Sequence, residues 1–209
     1  MLLNLEALDR ADVVSTPFPY LSASGVVPPK DLQDIASSFP PIDQPGIFPL
    51  SELTYGTAFA RLIDDLTGPE LAGLLEQKFD MQLSDKPLMI TVRGVCQAKD
   101  GRIHTDSKDK LLTCLLYLNN TAWSGDGGRL RLLRDGRDLD STIAEVAPDF
   151  GNFVAFKRTD NSWHGHARFI GPRRYVMVNW LRSDMALVRN VGRHRISAAF
   201  KRWGLGRGY

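Results

Sequence analysis

This sequence of 209 residues has few of the features that are typical of disulfide-rich, membrane-spanning or nucleic-acid-binding proteins. It contains only two cysteines, too few for a disulfide scaffold, and they do not have the spacing of a zinc site. No apolar run approaches the ~20 residues that cross a bilayer. The formal net charge is only +2, which by itself does not indicate a nucleic-acid partner. These absences predict an ordinary globular protein.

The composition favours one soluble domain over residues 1–209. With 43% hydrophobic and 24% charged residues, the chain can bury a sizeable core. The beginning, MLLNLE, has no basic segment before an apolar stretch, so we expect no signal peptide and a cytoplasmic protein. We expect no membrane partner, and no pattern in the sequence indicates an oligomeric state.

The first segment, residues 1–87, is predicted to be mainly helical. Prolines interrupt its beginning, and helical patterns follow at 30–38 and 51–64. A clearer helix is expected to begin near Thr67, a candidate N-cap with Glu70 three residues on, as in a capping box. We expect these helices to pack outside a core formed by the rest of the chain.

The second segment, residues 88–183, has the pattern of about seven short strands separated by turns. Its most apolar part, 110–119, is typical of a strand covered on both faces. Other strand patterns lie at 88–92, 129–133, 142–146, 152–156 and 175–181. Helices followed by such strands predict the α+β class, with a β-sandwich or jelly-roll core.

The end of the chain is basic. Residues 182–209 contain seven Lys and Arg residues against one acid, Asp184, so this part carries +6 and the remainder −4. Apolar residues recur there at helical spacing, which predicts a basic helix over 184–209. That helix either docks by its apolar face or offers its charge to an acidic partner.

The tripeptide HTD, which begins at His104, is the motif that most clearly indicates a functional site. In an extended chain residues i and i+2 point to the same side, so His104 and Asp106 can present a nitrogen and an oxygen to one point. A distant third ligand would complete the 2-His-1-carboxylate arrangement, which suits non-haem Fe(II) with open positions for a co-substrate and O₂. His164 and His166 are both candidates.

An arginine near the end of the strand region strengthens this interpretation. A bidentate 2-oxo acid such as 2-oxoglutarate has a second carboxylate at its far end, which requires a buried cation. Arginine binds a carboxylate through two parallel hydrogen bonds and stays charged when desolvated. Arg174 precedes the apolar run 175–181, where a surface strand would gain little from it. Its charge would also help to balance dianionic 2-oxoglutarate at an iron site.

The order of the motifs resembles that of the Fe(II)/2-oxoglutarate-dependent dioxygenases, and within them the prolyl 4-hydroxylase-like branch with its small bacterial members. The resemblance covers roughly residues 88–183. It is carried by HTD at 104–106, YLNN at 117–120, GDGGRLRLL at 125–133, FGNFVAFKR at 150–158, NSWHGH at 161–166 and GPRRYVMVNWL at 171–181.

The resemblance implies a double-stranded β-helix (jelly roll) with iron held by His104, Asp106 and His164. The spacing of the distal histidine and the 2-oxoglutarate-binding cation in the family matches that of His164 and Arg174, which are ten residues apart. It therefore implies Arg174 as the residue that binds the far carboxylate, and His166 as a neighbour of the site. The cofactors implied are Fe(II), 2-oxoglutarate and O₂, with ascorbate as a candidate reductant.

Two hydroxyls on the strand after HTD could also bind 2-oxoglutarate. Thr113 and Tyr117 are four residues apart and so share one face of that strand. The alternative for both is an ordinary strand residue with a satisfied hydroxyl. Arg93, on the preceding strand, could face the pocket, the substrate or neither.

The implied activity is hydroxylation of a peptidyl residue such as proline, or of a small molecule, with release of succinate and CO₂. The retained carboxylate of Asp106 favours hydroxylation over halogenation, since related halogenases have a small residue at that position. Two alternatives stay open. One is a non-catalytic jelly-roll binding module, and the other is a divalent-metal jelly-roll enzyme that does not use 2-oxoglutarate.

Overall fold

The structure, a computed structural model, describes residues 1–125, 127–190 and 192. Two β-sheets form its centre, and helices from the beginning of the chain pack against one of them. Within the basic helix predicted over 184–209, residues 184–190 are helical. Residues 191 and 193–209 of that prediction lie outside the described residues.

Four α-helices precede the first long strand. They are α1 (Leu5–Asp9), α2 (Leu32–Ser38), α3 (Thr57–Thr67) and α4 (Pro69–Phe79). Short 3₁₀ helices lie at Pro29–Asp31, Leu50–Glu52 and Leu139–Ser141. Helix α3 buries one apolar face, because its apolar residues recur at helical spacing at Phe59, Leu62, Ile63 and Leu66.

The start of α4 differs from the prediction. Its N-cap is Gly68, with Pro69 at the first helical position, where a proline has no intrahelical N–H bond to lose. The predicted capping box at Thr67 and Glu70 is therefore wrong. Thr67 is the last residue of α3, and its hydroxyl donates to the carbonyl of Ile63 at 2.9 Å.

The described residues form nine strands in two antiparallel sheets. The strands are β1 (Tyr20–Ala23), β2 (Phe48–Pro49), β3 (Leu88–Cys96), β4 (Lys110–Tyr117), β5 (Leu130–Leu133), β6 (Thr142–Val146), β7 (Phe153–Lys157), β8 (His164–Gly165) and β9 (Gly171–Leu181). The larger sheet has the order β1-β7-β4-β9-β3-β2, and the smaller sheet has the order β6-β5-β8.

Strand β4 shows how the two sides of the larger sheet differ. It lies between β7 and β9, so both of its edges are hydrogen-bonded. Leu112, Cys114 and Leu116 pack into the core that the helices cover. Leu115 and Tyr117 point the other way and pack against the smaller sheet. Coverage of both faces explains the continuous apolar run in the sequence.

The predicted α+β class with a jelly-roll core is confirmed, and two strands of the larger sheet come from outside the predicted strand segment. Strands β1 and β2 come from the segment 1–87, which was predicted to be mainly helical, and they form the two edges of the larger sheet. Both strands are too short for an alternating pattern to be visible, since β1 has four residues and β2 has two.

In the part of the chain that the structure describes, none of the helices has both the length and the apolar composition that a membrane crossing requires. The cytoplasmic location stays a prediction.

We predict that Leu75→Ala lowers the free energy of unfolding by about 2–5 kcal/mol, because the side chain is completely buried in the core that the helices cover and its loss leaves a cavity. Gln77→Ala, on the exposed face of the same helix, should change it by less than about 0.5 kcal/mol. Urea unfolding measures both. Equal values for the two variants would contradict the buried position of Leu75.

Candidate active site

A cavity of about 270 Å³ is lined by residues of both sheets. Strands β3, β4 and β9 contribute one wall, and strands β5 and β8 contribute the other. Apolar side chains line part of it, namely Ile47, Leu115, Leu130, Phe156 and Met177. The other lining side chains include histidines, two arginines, a lysine and an aspartate, so polar groups converge in a largely apolar space.

His104 and His164 are held side by side by their backbones. The amide of His104 donates to the carbonyl of His164 at 3.0 Å, and the amide of His164 donates to the carbonyl of His104 at 2.9 Å. The two imidazole rings are 4.3 Å apart between centroids, and the His164 ring also packs 4.6 Å from the Phe156 ring. This bridge joins β8 to the loop before β4.

Asp106 completes a compact group of donors with these two histidines. One ligand atom each from His104, Asp106 and His164 lies within 4.8 Å of the others. His104 is exposed, whereas Asp106 and His164 are 9% and 7% exposed. The structure therefore brings together the three residues that the sequence analysis selected, and the group could hold a metal ion.

The hydrogen bonds of the two histidines determine which ring nitrogen is free. Nδ1 of His104 lies 2.8 Å from the carbonyl oxygen of Arg102, and Nδ1 of His164 lies 3.0 Å from that of Ser162. A carbonyl oxygen only accepts, so Nδ1 carries the proton in each ring and Nε2 keeps its lone pair. That tautomer is the one in which Nε2 can bind a metal.

The pKa shifts of Asp106 and His164 favour the protonation states in which these buried residues can bind a metal ion. Burial lowers the pKa of His164 to about 4, so its ring is neutral near pH 7. Burial alone would raise the pKa of Asp106, but the ammonium of Lys110, His164 and the hydroxyl of Thr113 together hold it well below its usual value. Asp106 is therefore a carboxylate, and His164 is a neutral donor.

Both carboxylate oxygens of Asp106 have partners. Lys110 Nζ donates to Oδ1 at 2.7 Å, and Thr113 Oγ1 donates to Oδ2 at 2.6 Å. Thr113 Oγ1 also lies 3.0 Å from Oδ1 of Asn179 on the neighbouring strand. Thr113 was expected to bind 2-oxoglutarate. Its hydroxyl contacts Asp106 and orients that carboxylate, a role that the sequence did not suggest, and its binding of 2-oxoglutarate stays a prediction.

A second polar group is formed by Arg173, which lines the cavity, and Tyr117, which is completely buried behind it and is not part of the lining. Arg173 is 2% exposed, and its guanidinium donates from Nε to the carbonyl of Gly128 at 2.7 Å and from Nη2 to the Tyr117 hydroxyl at 3.1 Å. Among the described residues, no carboxylate forms an ion pair with it. A buried arginine without an acidic partner is a natural site for an anionic ligand.

Arg174, which the sequence analysis selected, lies elsewhere. Its guanidinium carbon stacks 5.1 Å from the centre of the Phe39 ring, and its side chain lines a separate surface groove with Asn119 and Trp123. Arg173, its neighbour, is the arginine of this pair that lines the cavity. The reason is the alternation of β9, in which residues 173, 175 and 177 face the cavity and 176, 178 and 180 face the helices.

A signal for the placement of Arg173 was present in the sequence. At the even positions of β9 the residues Val176, Val178 and Trp180 are all apolar, whereas Tyr175 and Asn179 at odd positions are polar. That pattern assigns the polar face to the odd positions, and Arg173 is odd. The register confirms it, since Tyr117 and Tyr175 lie opposite each other on β4 and β9.

His166 lines the same cavity but does not belong to the group of three donors. Its amide donates to the carbonyl of Gly101 at 3.0 Å. Gly101 has φ +86°, and a Cβ there would lie 2.4 Å from the His166 ring, so only glycine fits at that position. Burial lowers the pKa of His166 to about 4.

Comparison with known families identifies one match. Residues 94–182 match the family model of the 2OG-Fe(II) oxygenase superfamily, a span that contains His104, Asp106, His164 and Arg173. No curated protein sequence matches the chain.

Two solved structures share the fold at low sequence identity. A prolyl-4-hydroxylase from Pseudomonas putida aligns with a TM-score of 0.55 and 15% identity, over 78% of this chain and 92% of that one. A viral collagen prolyl hydroxylase from Paramecium Bursaria Chlorella virus-1, solved with 2OG, aligns with a TM-score of 0.54 and 16% identity, over 78% of this chain and 95% of that one.

We predict that Lys110→Met lowers the free energy of unfolding of the metal-free protein by about 3–5 kcal/mol, because it leaves the Asp106 carboxylate buried without its cation. Adding Asp106→Asn should recover part of the loss. Arg131→Met, which breaks a partly exposed pair with Glu145, should cost only about 0–1 kcal/mol. Chemical unfolding measures all three, and a Lys110→Met value no larger than that control would contradict a buried ion pair.

Proposed function

We propose that residues 94–182, which match the family model of the 2OG-Fe(II) oxygenase superfamily, form an oxygenase domain that hydroxylates a peptidyl residue, such as proline, or a small molecule. In this proposal His104, Asp106 and His164 bind Fe(II), and Arg173 with Tyr117 binds the far carboxylate of 2-oxoglutarate. The observation that carries the proposal is that the three donors and the buried arginine line one cavity.

The donor set fits ferrous iron. Two imidazoles and one carboxylate are the ligands of the facial triad found in non-haem Fe(II) oxygenases. The hydrogen bonds from Nδ1 of both histidines direct Nε2 to the metal, and Thr113 and Lys110 orient the carboxylate of Asp106. When bound, iron and 2-oxoglutarate supply the oxidative chemistry, which yields succinate, CO₂ and a hydroxylated product.

The other end of the cavity fits a carboxylate. The Arg173 guanidinium has a planar set of donors, and the Tyr117 hydroxyl 3.1 Å away can rotate to donate to the same anion. Burial raises the pKa of Tyr117, so its hydroxyl keeps the proton that it would donate. Arg173 thus replaces Arg174 in the proposed binding of the co-substrate.

The apolar part of the lining supports the positioning of a C–H bond. Leu115, Phe156 and Met177 offer no hydrogen bond and exclude water from the space beside the three donors. The two prolyl hydroxylases share the fold, which supports peptidyl proline as one substrate to test. A binding module, or a metal enzyme without 2-oxoglutarate, would leave the buried Arg173 without a ligand.

We predict that His104→Ala, Asp106→Ala and His164→Ala each lose bound iron, because each removes one of three protein ligands. The weakening should exceed the about 10–100-fold typical of changes outside the ligand set. Iron content after anaerobic loading and desalting, together with Mn(II) titration, measures it. His166→Ala is the matched control and should keep its iron. Loss of iron in His166→Ala but not in His164→Ala would exchange the two roles.

We predict that Arg173→Gln weakens 2-oxoglutarate binding by about 30-fold or more, since removing one partner of a buried charge pair costs about 2 kcal/mol or more. Metal binding should be unchanged. Titration of the Mn(II)-loaded protein with 2-oxoglutarate measures the affinity, and succinate formation with Fe(II) measures turnover.

Arg174→Gln is the control for this experiment, because its side chain lies outside the cavity and should leave both quantities near the wild-type values. An effect of Arg174→Gln larger than that of Arg173→Gln would contradict the assignment. Unmeasurable 2-oxoglutarate binding by the metal-loaded wild type would contradict the proposed function itself.

A further inference from the structure

We propose that Arg93 forms a second anion subsite in the cavity, which binds a carboxylate or phosphate group of the primary substrate. The proposal rests on the proposed function, because it requires Arg173 to be occupied by 2-oxoglutarate. It narrows the substrate from any peptidyl residue or small molecule to one that carries an anionic group close to the carbon that reacts.

Arg93 faces the cavity from β3, the strand next to the edge strand β2 of the larger sheet. It lies on β3 directly opposite Tyr175 on β9, and both residues line the cavity. The arginine is 7% exposed, and its guanidinium carbon lies 5.9 Å from the centre of the Tyr175 ring. A charged side chain in this position is costly to bury unless it binds something.

The contacts of Arg93 with other residues leave some of its hydrogen-bond donors unused. Its Nη1 forms an ion pair with Asp100, whose carboxylate also accepts the amide of Gln97 at 2.9 Å. Nη1 also approaches Cys96 Sγ at 3.7 Å, and neither Nε, which is enclosed, nor Nη2 donates to a partner among the described residues. Buried donors nearly always have a partner. Since a guanidinium only donates, the missing partner has to be an acceptor, and an anion is the strongest one.

Arg93 and Arg173 form two distinct positions. Arg173 also lies by the Tyr175 ring, 5.3 Å from its centre, but its contacts are the Gly128 carbonyl and the Tyr117 hydroxyl. Arg93 contacts neither of these groups among the hydrogen bonds of the described residues, and pairs with Asp100 instead. A 2-oxoglutarate molecule that extends from the three metal donors to Arg173 therefore leaves the donors of Arg93 available.

The charges in and beside the cavity lead to the same conclusion. Ferrous iron, Lys110, Arg93 and Arg173 together carry five positive charges, and Asp106 and Asp100 carry two negative ones. Dianionic 2-oxoglutarate leaves one positive charge uncompensated. Lys110, Arg93 and Arg173 are buried, and buried charge disfavours such an excess, so the complete site favours a substrate that brings one negative charge.

The test measures binding of simple anions after the co-substrate site is filled. Wild-type protein, loaded with Mn(II) and saturating 2-oxoglutarate, is titrated with acetate and with inorganic phosphate in a calorimeter. We expect one saturable site per chain for at least one of the two anions. Arg93→Gln should weaken that binding by about tenfold or more. Arg131→Gln, a change of the same kind outside the cavity, should leave it unchanged.

Asp100→Asn should have the opposite effect on the affinity for the anion. Removing the carboxylate that competes for Arg93 should tighten acetate or phosphate binding several-fold, whereas an arginine that only anchors the loop at Asp100 predicts no gain. Arg93→Lys, which keeps the charge but not the planar set of donors, should bind with intermediate affinity. These two variants keep the test decisive if Arg93→Gln does not fold.

Three results would overturn the subsite. They are absence of saturable anion binding in the wild type, unchanged anion binding in a folded Arg93→Gln, and a loss of 2-oxoglutarate affinity rather than anion affinity in that variant. The last would assign Arg93 to the co-substrate. Failure of the Mn(II)-loaded wild type to bind 2-oxoglutarate is a separate result, which would overturn the proposed function and with it the premise of this subsite.

Discussion

The pair of backbone hydrogen bonds between His104 and His164 is the contact on which the candidate site depends. These residues are far apart in the sequence, and the bridge joins the loop before β4 to β8 of the smaller sheet. Without it, Asp106 and a single histidine would be left on one wall of the cavity. Because the bridge uses main-chain atoms, both side chains remain free to point at one position.

The two faces of the larger sheet have different roles: one packs against the helices, and the other lines the cavity. The side chains of β4 and β9 alternate between the core beneath the helices and the cavity beside the smaller sheet. The first face contains apolar side chains and determines stability, while the second contains the charged ones. A shift of one residue along β9 would put Arg174, Val176 and Val178 on the cavity side in place of Arg173, Tyr175 and Met177.

The cavity contains more charge than an iron site alone requires. Lys110 pairs with Asp106, and Arg93 pairs with Asp100, so each buried charge except that of Arg173 has an opposite charge beside it. Such pairs are costly to bury and contribute little net stability. Their presence in one cavity is better explained by ligand binding than by the needs of the fold.

The sequence by itself determined the α+β class, the central strands and the residues His104, Asp106 and His164, because strand formers, the i and i+2 spacing and the family motifs are local properties. The alternation along β9 indicated which residues share a face with each arginine but not which face lines the cavity, and the sequence did not determine the pairs that Arg93 and Lys110 form. Those depend on strand register and on contacts across the sheets. Only the tertiary structure decided that Arg173 faces the cavity, because the register of β9 against β4 places it on the same side as Tyr117.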